Sequence, residues 1–202
     1  MRIGIISDIH CNVAALRMGL ELMRPVDLLL CAGDMVLQYR FSNETMNILR
    51  TNNVCAVMGN HEDAVLSPAC APLRASGTVD PDHLRYLEQL PHVVKMDIEG
   101  KRLVLAHTTA LDPTNDYPFH LEDRPKQLAG LKADVLIVGN THRPTIANVG
   151  STLFINPGAL GDSRGPDPWE RTYAVLDTET WEARIHNFRD PAAHRYANGG
   201  GR

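Results

Sequence analysis

In five places along this 202-residue chain an apolar run stops, and a residue able to bind a metal or carry a proton comes directly after it. These places are Ser7-Asp8-Ile9-His10, Gly33-Asp34, Gly59-Asn60-His61, Ala106-His107 and Gly139-Asn140-Thr141-His142. Read as an extended segment, Asp8-x-His10 sends both side chains to one side, where they can grip one ion. Asp34 has two oxygens and can bridge two ions. Asn60 offers a carbonyl oxygen, and His107 and His142 offer imidazole nitrogen. A mixed nitrogen and oxygen set suits Mn, Fe, Zn, Co or Ni better than Ca or Mg. Two such ions about 3.5–4 Å apart clamp a phosphoryl group and lower the pKa of a bridging water, which yields a hydroxide nucleophile. Gly33, Gly59 and Gly139 are read as points where the backbone turns sharply beneath the ions. Each piece alone has an ordinary explanation: a surface loop, a turn, a helix cap. Together they single out His10, His61, His107 and His142 from the nine histidines. His83, His92, His120, His186 and His194 lack such a setting and read as surface or structural.

The elements that must position these residues alternate in the first half. Met1 to Ile6, Val26 to Cys31 and Val54 to Met58 are short apolar runs, read as buried strands. Between them Asn12 caps a helix with Val13, Leu16, Leu20 and Met23 on one face, ended by Pro25, and Ser42 caps a second with Met46 and Leu49 inward. Strand and helix in alternation predict a parallel sheet with right-handed crossovers. In open α/β sheets the functional crevice lies outside the carboxyl ends of the strands, where the metal-type residues fall. Ser67 to Asp80 carries Pro68, Pro72 and Gly77 and reads as a loop, a candidate lid or interface. Pro81 to Gln89 reads as a short helix. Val93 to Ile98 and Arg102 to Ala106 flank a hairpin signal at Glu99-Gly100-Lys101. Asp112 to Asp123 reads as a polar loop, Lys126 to Leu131 as a weak helix and Val135 to Val138 as a buried strand. Ile146 to Val149, Thr152 to Ile155, Tyr173 to Leu176 and Trp181 to His186 come next, with alternation and turns that predict antiparallel strands. Residues 1–190 read as one domain and 191–202 as a mobile tail.

Composition narrows the class. The chain is 44% hydrophobic and 22% charged, the balance of a globular protein. Lys plus Arg is 20 against 24 for Asp plus Glu, a formal charge of −4, which argues against non-specific binding to nucleic acid or anionic membrane. No apolar run reaches the roughly 18 residues of a membrane span, and Ile3 to Ile6 is too short for a signal peptide. Cys11, Cys31, Cys55 and Cys70 form no C-x-x-C pair and read as free thiols in a reducing cytoplasm.

The set Ser7-Asp8-Ile9-His10, Gly33-Asp34, Gly59-Asn60-His61-Glu62, His107 and Gly139-x-Thr141-His142 resembles, in order, the motif series of the calcineurin-like metallophosphoesterases. Arg143-Pro144, Asn156-Pro157-Gly158 and Gly161-Asp162-Ser163-Arg164 are similar to the segments beyond the last motif in the small bacterial and archaeal phosphodiesterase branch. The resemblance spans roughly residues 1–188. It implies an α/β fold of four layers, a two-sheet β-sandwich flanked by helices, with a dinuclear site at one edge. It implies that Asp8, His10, Asp34 and His142 hold one metal, and that Asp34, Asn60, His107 and the residue at 140 hold the other. His61 would sit over the phosphate and give a proton to the leaving oxygen, a role suited to imidazole. Asn12, Arg143 and Arg164 are candidates for binding a small phosphorylated substrate, the arginines by gripping phosphate in a fork or else as surface ion-pair partners. The implied activity is a metal-dependent phosphoesterase, a phosphodiesterase before a monoesterase, with two divalent transition ions, Mn before Fe, Zn, Ni or Co. Cyclic nucleotides, dinucleoside polyphosphates and phosphorylated proteins all stay open as substrates, and a homo-oligomer is compatible.

Three positions depart from the family pattern. Asn140 stands where the family has His, so the second metal is expected to bind loosely or to be a harder ion such as Mn. Thr108 stands where Gly is usual. Cys11 also stands where Gly is usual, and reads as a bystander with its thiol turned away in preference to a redox-sensitive group. These departures leave two other classes. One is a non-catalytic protein-interaction scaffold, as the retromer-type sorting subunit is on this fold. The other is a phosphate-sensing binding module. A degraded scaffold site should lose several ligands or His61, and this chain retains most of them.

Overall fold

The structure, a computed structural model, describes residues 1–112 and 125–193. The loop expected at 112–123 and the tail expected at 191–202 fall, except for Asp112 and residues 191–193, outside the described residues, as do His120 and His194. The first half contains β1 (Arg2–Ile6), α1 (Val13–Leu22), β2 (Leu28–Cys31), α2 (Asn43–Thr51), β3 (Cys55–Ala56), α3 (Asn60–Leu66), a 3-10 turn (Pro68–Cys70), α4 (Ala71–Arg74) and α5 (Pro81–Glu88). The second contains β4 (Val93–Ile98), β5 (Lys101–Ala106), α6 (Pro125–Gly130), β6 (Val135–Ile137), β7 (Thr145–Val149), β8 (Thr152–Asn156), β9 (Glu170–Asp177) and β10 (Glu182–Arg189).

Two five-stranded mixed sheets result, in the orders β10-β9-β1-β2-β3 and β4-β5-β6-β8-β7. β1, β2 and β3 are parallel, as their crossover helices require. β9 pairs antiparallel with the free edge of β1, and β10 with β9. In the second sheet β5, β6 and β8 are parallel, with β4 and β7 antiparallel at the edges. The period-2 alternation assigns each side chain to a layer. Ile3, Ile5, Leu30, Ala174 and Leu176 meet Leu103, Leu105, Val135, Ile137 and Ile155 between the sheets. Ile6, Cys31, Tyr173 and Val175 face the opposite way, against Leu16, Leu20, Met46, Leu49 and Leu87 of the helices. Val104, Leu136 and Phe154 face Leu128 of α6. The molecule is therefore helix, sheet, sheet, helix, as the resemblance implied. Burying each of these side chains contributes about 1.5–3 kcal/mol. A one-residue slip of β1 would exchange its two apolar faces, so its register is firmly set.

Local chemistry explains where elements start and stop. Asn12 caps α1 by accepting the Ala15 N–H, and Ser42 caps α2 by accepting the Thr45 N–H. β2 begins at Leu28, two residues later than its apolar run, because the Asp27 N–H bonds the Arg2 carbonyl and its carboxylate takes the Arg2 N–H. β3 is only two residues long, shorter than its apolar run Val54 to Met58, and pairs with β2 alone. The 67–80 stretch is not all loop: it holds the 3-10 turn and α4. Pro68 and Pro72 sit in their first turns, where proline's missing N–H costs nothing. Among the described residues no helix is long and apolar enough to cross a membrane.

Candidate metal centre

The carboxyl ends of β1, β2 and β3 and those of β5 and β6 open onto one edge of the sandwich, and backbone hydrogen bonds lace their loops together. The N–H groups of Asp8, His10 and Cys11 donate to the carbonyls of Gly33, Asp34 and Met35, each at 3.0 Å, and Gly139 N–H donates to the His107 carbonyl. The Asn140 N–H donates to Asp8 Oδ2 at 3.0 Å, tying the second sheet to the first. This lacing corrects one expectation. Asp8 and His10 are not extended: their φ values are +51° and +48°, and Cys11 comes next at +61°. Asp34, Asn140 and His142 are left-handed too, at +53°, +68° and +56°. The glycines also act differently than expected. Gly33 does turn, at φ +88°, but Gly59 has φ −104° and Gly139 is not left-handed. Their need is space: a Cβ on Gly59 would lie 2.6 Å from Asp34 N, and one on Gly139 would lie 2.8 Å from Asp8 Oδ2.

Two groups of donors face one another across Asp34. In the first, Asp8 Oδ1 lies 3.2 Å from His142 Nε2 and 3.8 Å from His10 Nε2, and the two imidazole nitrogens are 3.1 Å apart. In the second, His107 Nε2 lies 3.0 Å from Asn60 Oδ1, and Asn140 Nδ2 reaches Asn60 Oδ1 at 2.8 Å and His107 Nε2 at 3.2 Å. Asp34 Oδ2 stands 3.2 Å from His107 Nε2 and 4.0 Å from His10 Nε2, between the groups. Its Oδ1 accepts the His61 N–H. His61 itself turns Nδ1 to the Gln38 N–H at 2.9 Å and points Nε2 at Asp34 Oδ2, 3.9 Å away. Because Nδ1 accepts, the ring's proton resides on Nε2, the nitrogen facing the site.

The electrostatics fit divalent cations. The His107 Nδ1–H donates to the Ala32 carbonyl and the His142 Nδ1–H to the Asp162 carbonyl, which turns each Nε2 lone pair inward. Lone pairs and carboxylate oxygens then crowd the same space, and a positive charge must balance them. Burial works to lower the pKa of His107, yet the Asp34 carboxylate outweighs it and lifts the value to about 9. For His142, burial is likewise overcome by the Asp162 and Asp8 carboxylates, which lift it to about 10. His10 moves the other way: burial lowers it, despite Asp34 and Asp8. Asp8 Oδ1 is buried with no hydrogen-bond partner among the described residues, an arrangement expected of a metal donor. Ligand atoms of Asp8, His10 and His142, of His10, Asp34 and His61, and of Asp8, Asp34 and His107 each gather within 4.8 Å.

The remaining candidates lie around and beyond this centre. Asn12 is engaged by the protein: beyond its cap, Nδ2 donates to the Leu160 carbonyl and Asp190 Oδ2. Arg143 and Arg164 are exposed on the loops after His142 and Asp162. His83 bonds Arg50, His92 lies 3.6 Å from Asp63 and His186 stacks on Tyr173. The four cysteines are free, and the Cys11 thiol turns away from the donors, toward the Arg40 carbonyl at 3.3 Å.

Three roles escaped the sequence. Glu62, quoted only as part of a motif, is fully buried and accepts the N–H groups of Asp34, Val36 and Gly59. Burial, then the Asp34 charge, lifts its pKa to about 7 against the N–H groups of Val36 and Gly59. Asn156 donates to the Gly139 carbonyl and Thr141 Oγ1, bracing the loop that carries Asn140 and His142. Asp162 is 60% exposed and places Oδ1 4.0 Å from His10 Nε2. Its hydrogen bond with His142 holds its pKa down at about 2. It follows Gly161, whose N–H bonds the Asp8 carbonyl and so brings this loop to the site.

A fold of two mixed sheets with an aspartate-histidine centre at one edge defines a class. The chain belongs to the calcineurin-like phosphoesterase superfamily, whose domain matches residues 1–181. It is similar to a metallophosphoesterase from Sphaerobacter thermophilus, with 26% identity and a TM-score of 0.79 over 98% of this chain and 95% of that one. It also resembles a novel archaeal phosphodiesterase, with 24% identity and a TM-score of 0.62 over 93% of this chain and 100% of the other. Vps29 from Entamoeba histolytica, crystallised with zinc, shares 20% identity and a TM-score of 0.57 over 96% and 94% of the two chains. These last two likenesses are of fold.

Proposed function

We propose that this protein is a metal-dependent phosphodiesterase acting on a small phosphorylated substrate. The observation that carries the reading is Asp34, a single buried carboxylate set between two groups of nitrogen and oxygen donors. Asp8, His10, Asp34 and His142 would hold one divalent cation, and Asp34, Asn60, His107 and Asn140 a second. Manganese suits this set best, with Fe, Zn, Ni or Co as alternatives. When bound, such a pair supplies Lewis-acid charge to the phosphoryl oxygens and lowers the pKa of a water between them. The chain's own residues do the rest. His61 presents its Nε2 proton to the leaving oxygen as that oxygen separates from phosphorus. Arg143 and Arg164, both exposed, would attract the anion.

Asp162 supports the preference for diesters. Its ionised carboxylate stands at the rim of the first donor group. A monoester dianion entering there is repelled about twice as strongly as a diester with one charge. The test is hydrolysis of bis-p-nitrophenyl phosphate and p-nitrophenyl phosphate with added Mn, Ni, Co or Zn. The diester should turn over faster, and Asp162→Asn should narrow the gap by roughly 3–10-fold, the effect of about 1 kcal/mol at a partly exposed charge. Absence of turnover with every metal would favour a scaffold on the same fold.

A further inference from the structure

The turn that holds His61 is itself held by two cysteines. Leu37 and Arg40 exchange backbone N–H···O=C bonds, each 3.0 Å, so that Gln38 and Tyr39 form the tip of a tight hairpin. The N–H of Gln38 is the donor that engages His61 Nδ1. The carbonyl of the same Gln38 accepts from Cys70 Sγ at 2.8 Å. The carbonyl of Arg40, at the turn's other end, accepts from Cys11 Sγ at 3.3 Å. The two thiols come from separate parts of the chain, Cys11 from the β1–α1 loop and Cys70 from the end of the 3-10 turn. Both are buried, at 4% and 1% exposure.

We infer that Cys11 and Cys70 are positioning residues: their S–H groups fasten the Leu37–Arg40 turn, so that the Gln38 N–H fixes the ring and tautomer of His61. This rests on the reading that His61 serves the leaving group. A thiol is a weak donor, and one such bond would not fix a turn. Two, coming from buried side chains and placed at residues 38 and 40 of a half-exposed turn, hold it from both ends. Each sulfur faces a carbonyl oxygen, which can only accept, so each thiol acts as the donor. Without the fastening, Gln38 can swing away from Nδ1, and the His61 proton can then occupy either nitrogen. Only the Nε2 form presents a proton to the site.

The experiment uses the Mn-loaded protein and two diesters, one with a p-nitrophenolate leaving group and one with an alkoxide, such as a dinucleoside monophosphate. Cys70→Ala and Cys11→Ala should lower kcat on the alkoxide ester about 10–100-fold, the scale of losing a partner that orients a functional side chain. KM, metal content and the p-nitrophenyl rate should change little, because p-nitrophenolate leaves without a proton. Cys70→Ser should restore most of the rate, since a hydroxyl donates to the same carbonyl. In the zinc-loaded protein, imidazole 15N shifts should show the Nε2–H tautomer of His61 and a mixture in Cys70→Ala. An unchanged tautomer, or equal losses on both esters, would overturn the inference while leaving the role of His61 intact. If His61→Ala itself fails to separate the two esters, the reading of His61 falls and takes the inference with it.

Discussion

The two donor groups share Asp34 and differ in almost everything else. The first has its own carboxylate, Asp8, with the imidazoles of His10 and His142, all buried. The second has one imidazole, His107, and the amides of Asn60 and Asn140, with Asn60 exposed at its mouth. Charge and two nitrogen donors favour a transition ion strongly in the first. Neutral amide dipoles favour it weakly in the second. On the proposed reading, one edge of the sandwich would offer a firm site and a yielding one side by side, coupled through a single carboxylate.

Removing that carboxylate should have the largest effect, because it abolishes the contrast. Asp34→Asn is expected to cost several kcal/mol of transition-state stabilisation, about 10³–10⁴-fold in kcat, and to release metal from both groups. Metal analysis after gel filtration checks this, and two ions retained per chain would break the shared-ligand argument. Asn140→His should sharpen the contrast from the other side. It should tighten the weaker of two binding events by roughly tenfold or more and leave the stronger unchanged, as measured by calorimetric titration. Equal, tight binding of two ions by the unaltered protein would remove the basis for ranking the second group as weak.

The smallest effect concerns the protons that stand in for cations. His107 and His142 have folded pKa values raised to about 9 and about 10. In metal-free protein their stabilisation is fully present below the ordinary histidine pKa and is lost as pH rises through 9 to 10. The melting temperature should therefore fall, by roughly 5 °C between pH 7 and 10. Metal affinity should move oppositely and rise over the same range, since those protons must leave before the nitrogens can bind. A flat melting profile for the metal-free protein would mean that the histidine protons do not balance Asp34 and Asp8.

Much of this arrangement was legible in residues alone, where the cause is local. Asn12 and Ser42 announced α1 and α2 because a capping side chain acts within three residues. The apolar runs Met1 to Ile6, Val26 to Cys31 and Val135 to Val138 announced buried strands because a strand covered on both faces is apolar throughout, while the four layers came from the family resemblance. The gathering of Asp8, Asp34, His107 and His142 came from strand ends in parallel sheets. What stayed hidden depends on distant partners. Gly59-Asn60-His61 read as a turn bearing ligands, which masked the start of α3. Glu62 could not be recognised as the brace of the Asp34 loop, because its three N–H donors come from residues 34, 36 and 59 and converge only in the fold. Pro68 and Pro72 read as breakers, and only a visible helix shows that they begin one. Asp162 lies far along the chain from His10 and has no spacing rule that links them.

The left-handed backbone at Asp8, His10, Asp34, Asn140 and His142 sets these side chains where they converge, at a cost of up to about 1 kcal/mol each, least at the aspartates and Asn140. Together they draw a few kcal/mol from the 5–15 kcal/mol by which a typical domain outlasts its unfolded chain. Glycine at any of them would relax the backbone and delete a donor. A search for heat-tolerant variants should thus accumulate hits along this rim and harvest robust but inert proteins.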